Sequence, residues 1–203
     1  MEITGYYIHK DLMIMQHKNA TLVFDSLIKN LKPARILEIG TATGGLTLLL
    51  RDLLNANGLT DSILRTYDVH EPLYLKNHIS DECVIDIRVK SVFNEYYNDF
   101  SEEGKVEIND FINQPGVTLV LCDGGNKIYE FKLISDLLRS GDVIMAHDYS
   151  YSKEVFEEKI NNKIWNWCEI TNSDIQEAIN KNNLESFMED EFNNIVWACK
   201  IKK

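Results

Sequence analysis

The sequence predicts an α/β fold, a mostly parallel sheet with helices on both faces and a last strand that runs antiparallel. Three observations carry that expectation. Short apolar runs alternate along the chain with segments of helical periodicity. The strongest runs are apolar at consecutive positions, as strands covered on both faces require. They also end in polar or glycine residues: Glu38-Ile39-Gly40, Asp68, Asp123 and His147-Asp148. In a parallel sheet these residues share one edge, beyond the carboxyl ends of the strands, where ligands bind.

Each element follows from local pattern. Residues 35–39 come after Pro33 and stop at Gly40, which predicts a buried strand. Leu46, Leu49, Leu50, Leu53 and Leu54 repeat at the spacing of one helix face, and Asn57-Gly58 stops that helix. A short strand is expected over 63–67, ending at Asp68, and another where Ile85, Ile87 and Val89 alternate. The run from Val117 to Cys122 is closed by Asp123-Gly124-Gly125. A helix is expected over 127–139, with Ile128, Phe131, Ile134 or Ser135, and Leu138 on its inner face, and Gly141 ends it. A strand over 143–146 runs into His147-Asp148. Two helices near 152–160 and 173–181 precede a last strand over 194–201, with Glu189-Asp190-Glu191 as a solvated turn before it.

The 203 residues suit one domain, with 1–32 as an N-terminal cap segment, 33–150 as the core and 151–203 as C-terminal helices and last strand. At 44% hydrophobic the chain has the composition of a globular core former, so no disulfide or metal staple is required. The 21 basic and 32 acidic residues give a formal charge of -11, which disfavours nucleic acid and anionic membranes as partners. Of the cysteines Cys83, Cys122, Cys168 and Cys199, none forms a CxxC pair, and the last three lie in apolar or aromatic runs that suggest buried, reduced thiols. With no signal-like or membrane-spanning segment in view, a cytoplasmic location is expected. Tyr6, Tyr7, His9 and His17 fit either a lid or an ordinary cap, and Trp165 and Trp167 either core packing or a pocket wall.

The turn Gly40-Thr41-Ala42-Thr43-Gly44-Gly45 has GxxxGG spacing, whereas a dinucleotide loop wants GxGxxG. Its middle position is Ala42, and the acidic Glu38 precedes the first glycine. That pattern suits S-adenosylmethionine, which carries cationic amino and sulfonium groups and no phosphate. Glu38 would favour those charges directly or through water, and Gly40, Gly44 and Gly45 would admit close approach of the ligand. A tight turn without a ligand is the alternative. Asp68 has the position of a ribose-binding carboxylate. Ser91 and Phe93 follow the third strand, where an adenine would sit or an ordinary turn would pack.

The stretches Ile36 to Thr47, Leu121 to Asn126 and Leu137 to Asp148 resemble class I S-adenosylmethionine-dependent methyltransferases, in particular the macrocin O-methyltransferase and cephalosporin hydroxylase-like group. The similarity spans residues 33–150 and, more weakly, Met15-Gln16 and the helix after it. It implies a Rossmann-like fold, with Glu38, Gly40 and Gly44 in the methyl-donor loop and Asp68 as its ribose-binding acid; Thr41, Gly45, Ser91, Phe93 and Asp123 join them as candidates toward the donor by their places in the loop and at the strand ends. It further implies Asp123 and Asp148 as ligands of a cation such as Mg²⁺; the group often carries Glu or Asp just before Asp148, and His147 in that place weakens an all-oxygen Mg²⁺ site and favours Mn²⁺. The group often carries His or Lys three residues after the Asp123 position. Here Asn126 stands there, so Lys127 and His147 become the candidate bases beside Asp123, His147 favoured because an imidazole ordinarily titrates near neutral pH.

The expectation is O-methylation of a small polar acceptor such as a sugar or hydroxylated metabolite, by a chain that can also self-associate. Two other classes remain: a donor-binding subunit without catalysis, which Asn126 keeps open, and an NAD-dependent oxidoreductase, which Ala42 and Glu38 disfavour.

Overall fold

The computed structural model describes residues 6–79 and 84–203. The chain opens with a hairpin of β1 (Tyr7–His9) and β2 (Leu12–Ile14), then α1 (Ala20–Leu31). The core follows as β3 (Arg35–Ile39), α2 (Gly45–Ala56), β4 (Ile63–Asp68), β5 (Asp86–Val89), α3 (Glu102–Ile112), β6 (Thr118–Cys122), α4 (Lys127–Ser135) and β7 (Val143–Ala146). Beyond it lie β8 (Tyr149–Ser150), α5 (Lys153–Val155) running into a wider helical turn at Phe156–Ile160, and β9 (Ile170–Thr171). The chain ends with α6 (Asn172–Lys181), β10 (Leu184–Ser186), α7 (Glu189–Asn193) and β11 (Ala198–Lys202).

One sheet runs in the order β10-β11-β7-β6-β3-β4-β5. Strands β3 to β7 are parallel, and β11 pairs antiparallel with β7, as expected; β10 adds a second antiparallel edge strand. Register aligns the carboxyl ends. Ile39 pairs with Tyr67 and with Cys122, and Cys122 with Ala146, so Gly40, Asp68, Asp123 and His147 emerge at one level.

Alternation within each buried strand feeds two apolar layers. Ile36, Leu119 and Leu121 pack with α1 and α2, whereas Leu37, Val120 and Ile144 pack with α3, α4 and α6. Leu50 on α2 is fully buried, and truncating it to alanine would cost about 2–5 kcal/mol. Thus the consecutive apolar positions of the sequence report a sheet covered on both faces.

Several boundaries differ from expectation for local reasons. Helix α4 stops at Ser135 because the Arg139 amide donates to the Asp142 carboxylate at 2.9 Å, which turns the chain early into β7. The last strand begins at Ala198, since residues 194–197 form a turn with Val196 at φ 60° and the Trp197 amide bonded to Phe192. Glu189-Asp190-Glu191 starts α7 rather than a turn, its acidic residues complementing the helix N-terminus. Helix α3 was not legible: its buried Ile108, Phe111 and Ile112 sit among polar residues, and the Ser101 hydroxyl caps it by accepting from Gly104. Cys122 and Cys199 are buried, but Cys168 is only half-buried; Cys83 lies outside the described residues. Among the described residues no helix is long and apolar enough to cross a membrane.

Candidate active site

Strands β3 and β6 lie side by side, and the chain leaves them in opposite directions along the sheet, which opens a crevice at their carboxyl ends. Gly40 forms its floor. It has φ +95°, and a Cβ there would stand 2.2 Å from the Asp123 carbonyl oxygen, so only glycine lets the two loops meet. Two cavities share Gly40.

The first cavity is lined by Asp68, Ser91, Phe93, Tyr97 and Glu130, among others. Asp68 accepts from the Ala42 amide at 2.8 Å and from the His70 amide at 2.9 Å, which fixes its carboxylate at the mouth of the glycine loop. Ser91 exchanges hydrogen bonds with the backbone of Phe93, and the Phe93 ring stacks on Phe100 at 5.5 Å. Glu130, reaching back from α4, accepts from the Gly124 and Asn126 amides and so shapes the loop after β6. Burial pushes its pKa up to about 7 against the pull of those two amides.

Four residues expected at the donor, Glu38, Thr41, Gly44 and Gly45, line neither cavity. Glu38 is fully buried under α2 and lines neither cavity; its Oε2 accepts from the Thr47 hydroxyl at 2.5 Å and the Thr66 hydroxyl at 2.6 Å. A direct contact with the donor is therefore not what its geometry offers. Burial raises its pKa to about 7, opposed by those two hydroxyls. Thr41 is also buried, 2.6 Å from the Thr66 hydroxyl. At Gly44 a Cβ would meet Leu75 at 2.7 Å, and at Gly45 the Met13 carbonyl at 2.2 Å. These two glycines let β2 and the 75–78 turn close over the loop, rather than lining the cavities.

The second cavity, of about 310 Å³, is lined by Met15, Ala42, Asp123, Lys127, His147, Asp148, Trp165, Trp167 and Glu169. His147 is buried with its ring stacked on Trp197 at 4.8 Å and Trp165 edge-on at 5.3 Å. Its Nδ1 lies 3.1 Å from Asp123 Oδ1, where the tautomer protonated at that nitrogen would donate to the carboxylate, while Nε2 is buried with no partner. Asp148 takes a left-handed φ of 55° at the end of β7, and its Oδ1 accepts from the Trp165 indole at 2.6 Å. Lys127 is buried and ion-paired to Glu169 at 2.7 Å, Asp148 at 3.2 Å and Asp123 at 3.5 Å. Burial works to lower its pKa, yet Asp123, Asp148 and Glu169 outweigh it and hold the ammonium above its ordinary value. As a cation at neutral pH, Lys127 is a poor base.

Asn126 is the N-cap of α4: its side-chain oxygen accepts from Tyr129 and its nitrogen donates to the Tyr97 carbonyl. That leaves it a structural part, and the next residue, Lys127, carries the charge into the site. Sequence reasoning passed over Gln16 as a site residue. Gln16 donates to Asp123 at 2.9 Å, accepts from the Trp197 indole at 2.7 Å and lies 3.4 Å from His147. Of the N-terminal aromatics and histidines, Tyr7 bonds Thr21 on α1 and His9 pairs with Asp52 on α2, so the hairpin is anchored on both helices beside the glycine loop.

Asp123, His147 and Asp148 offer three ligand atoms within 4.8 Å of one another, as a divalent cation would require. Each carboxylate oxygen also has a protein nitrogen beside it: Asp123 has Gln16 at 2.9 Å and His147 at 3.1 Å, Asp148 has Trp165 at 2.6 Å and Lys127 at 3.2 Å. An ammonium among the would-be ligand oxygens does not fit a resident divalent cation, which it would repel.

No protein-family model and no curated protein matches the sequence. Solved structures do. An apo structure of CmcI aligns with TM-score 0.61 at 15% identity, covering 97% of this chain and 76% of that one. A structure of CmcI with Mg and SAM gives 0.57 at 15%, covering 96% and 76%. A caffeoyl-CoA O-methyltransferase from Staphylococcus aureus, so named provisionally, gives 0.57 at 14%, covering 92% and 84%. The chain has the fold of these methyltransferases. At such identities the likeness extends to the Rossmann-like architecture, and the chemistry has to be argued from the residues.

Proposed function

We propose that the protein transfers a methyl group from S-adenosylmethionine to an oxygen of a small polar acceptor. The observation that carries this is the Asp68 carboxylate bonded to the Ala42 amide at the head of α2. In a dinucleotide site, pyrophosphate takes the amides of that loop. Here Asp68 occupies one of them, and its negative charge would repel a phosphate, whereas it suits ribose hydroxyls. The NAD-dependent reading is disfavoured on that ground. The adenosine would lie in the first cavity against Ser91 and Phe93, with the methionine portion passing Gly40 toward the second.

The acceptor would enter between Trp167, which is 45% exposed, and the Asp123–Lys127–Asp148 cluster. Holding oxygen, methyl carbon and sulfur in line supplies most of the acceleration. As the O–CH₃ bond forms and the C–S bond breaks, the electron pair returns to sulfur and leaves S-adenosylhomocysteine. The acceptor's proton passes to Asp123, whose carboxylate His147 and Gln16 orient; the buried, unpartnered Nε2 keeps His147 from meeting the acceptor through that atom. The supporting features from the neighbours are SAM bound to TomG of Streptomyces achromogenes, an O-methyltransferase of TM-score 0.51 and 14% identity, and SAM in a CmcI structure.

The test is release of S-adenosylhomocysteine across a panel of hydroxylated metabolites, sugars and phenols, with Asp123→Asn alongside the wild type. Turnover of at least one acceptor, abolished in D123N while the donor still binds, is expected. Donor binding without turnover across the whole panel would favour a non-catalytic binding subunit.

A further inference from the structure

The disagreement between the acidic cluster and a divalent cation has a positive side. Lys127 Nζ is surrounded by four oxygens: Glu169 Oε2 at 2.7 Å, Asp148 Oδ2 at 3.2 Å, the Gly124 carbonyl at 3.3 Å and Asp123 Oδ1 at 3.5 Å. Two of these belong to the residues that would ligate a metal. The side chain is 6% exposed, held at the first position of α4 by the Asn126 cap. A buried charge so placed is costly unless it is paired, and here three carboxylates pair it.

We infer that the Lys127 ammonium is this enzyme's built-in cation, standing where a divalent ion would otherwise bridge the acceptor to the acidic cluster, so that methyl transfer needs no metal. The inference rests on the methyltransferase reading and specifies how its acceptor is held. Of the four oxygens around Nζ, the Glu169 carboxylate is the one at the surface, 50% exposed. An acceptor oxygen entering the cavity would replace Glu169 as a hydrogen-bond partner of Lys127. That seats the oxygen between the ammonium and Asp123. Lys127 keeps its proton throughout: the acceptor's O–H proton goes to Asp123, the freed pair forms the O–CH₃ bond, and the C–S pair stays on sulfur. The ammonium stabilises the negative charge that grows on oxygen before the methyl arrives.

Replacing the ammonium by a neutral side chain of similar length leaves the Asp123 and Asp148 carboxylates without their cation, and two such oxygen donors side by side suit a divalent ion. The experiment titrates Mn²⁺ into wild-type protein and Lys127→Met, read by electron paramagnetic resonance of free Mn²⁺. The expected result is no saturable uptake by the wild type and one new site in K127M. Chelator treatment of the wild type should leave its transfer rate unchanged, and K127M should lose turnover while still binding the donor. Stoichiometric Mn²⁺ uptake by the wild type, or none by a K127M shown to be folded by thermal melting, would overturn the inference. If K127M does not fold, the wild-type titration alone decides, uptake refuting and its absence supporting. The titration needs neither donor nor acceptor, so failure of the methyltransferase reading would show separately, as no donor binding.

Discussion

The two cavities that meet at Gly40 are built by different means. On the side proposed for the donor the walls are backbone and turns: a glycine turn, the Asp68 carboxylate bound to the Ala42 amide, and a Ser91–Phe93 turn closed on itself. On the side proposed for the acceptor the walls are side chains from distant segments, Asp123, Lys127, His147, Trp165 and Glu169, locked with Gln16 behind them in one hydrogen-bond and ion-pair network. On the proposed reading, a donor that presents the same groups throughout is met by backbone and turn geometry. The acceptor would be met by charge and aromatic surface, where substitution is freer.

The largest effect is expected where both cavities depend on one residue. Gly40→Val would place a Cβ against the Asp123 carbonyl at positive φ, so it should destabilise the fold by about 3 kcal/mol or more and abolish donor binding. Urea denaturation and calorimetry would read both; intact donor binding would mean that the crevice floor is misplaced.

Next comes a pH effect from beneath the donor loop. Glu38 holds its proton up to about 7 in the folded chain, against 4.5 ordinarily. Between those values the folded state carries more protons than the unfolded state, so stability falls as pH rises from 4.5 to 7. A shift of that size corresponds to roughly 3 kcal/mol. Glu38→Gln should flatten the pH dependence of the denaturation midpoint and stabilise the protein above pH 7. A slope identical to the wild type's would contradict the burial argument.

A smaller loss separates the two sides. Asp68→Ala removes a charge-assisted partner of the ribose and should weaken the donor by about ten- to a hundredfold, roughly 1.5–3 kcal/mol. With donor saturating, the acceptor KM should stay put. The reciprocal change, Trp167→Ala, should raise the acceptor KM by a few fold, about 1 kcal/mol, and leave the donor Kd alone. Crossed effects from these two variants would mean that the cavities do not divide the work.

The same contrast explains how much was legible. Strands β3, β6 and β7 and helix α2 announce themselves through apolar runs or Leu46, Leu49, Leu50 and Leu54 at helical spacing, and the residues at their ends cluster as expected. Strand β10 hides because Leu184 is its one buried residue, and α3 because its apolar face is narrow. In the site, Asp68, Asp123 and His147 follow from strand ends. Gln16 meets Asp123 across 107 positions, and Glu169 meets Lys127 across 42; no local spacing encodes either pairing. Glu38 was drawn toward the ligand by its place beside the glycines, whereas the strand pleat turns it under α2 toward Thr47 and Thr66.

The most direct test is calorimetric titration of the wild-type protein with S-adenosylmethionine, S-adenosylhomocysteine and NAD under chelating conditions. Saturable binding of the first two and none of NAD is the predicted result. Tight NAD binding, or no binding of any of the three, would contradict the donor site at Asp68 and leave a methyltransferase fold without its chemistry.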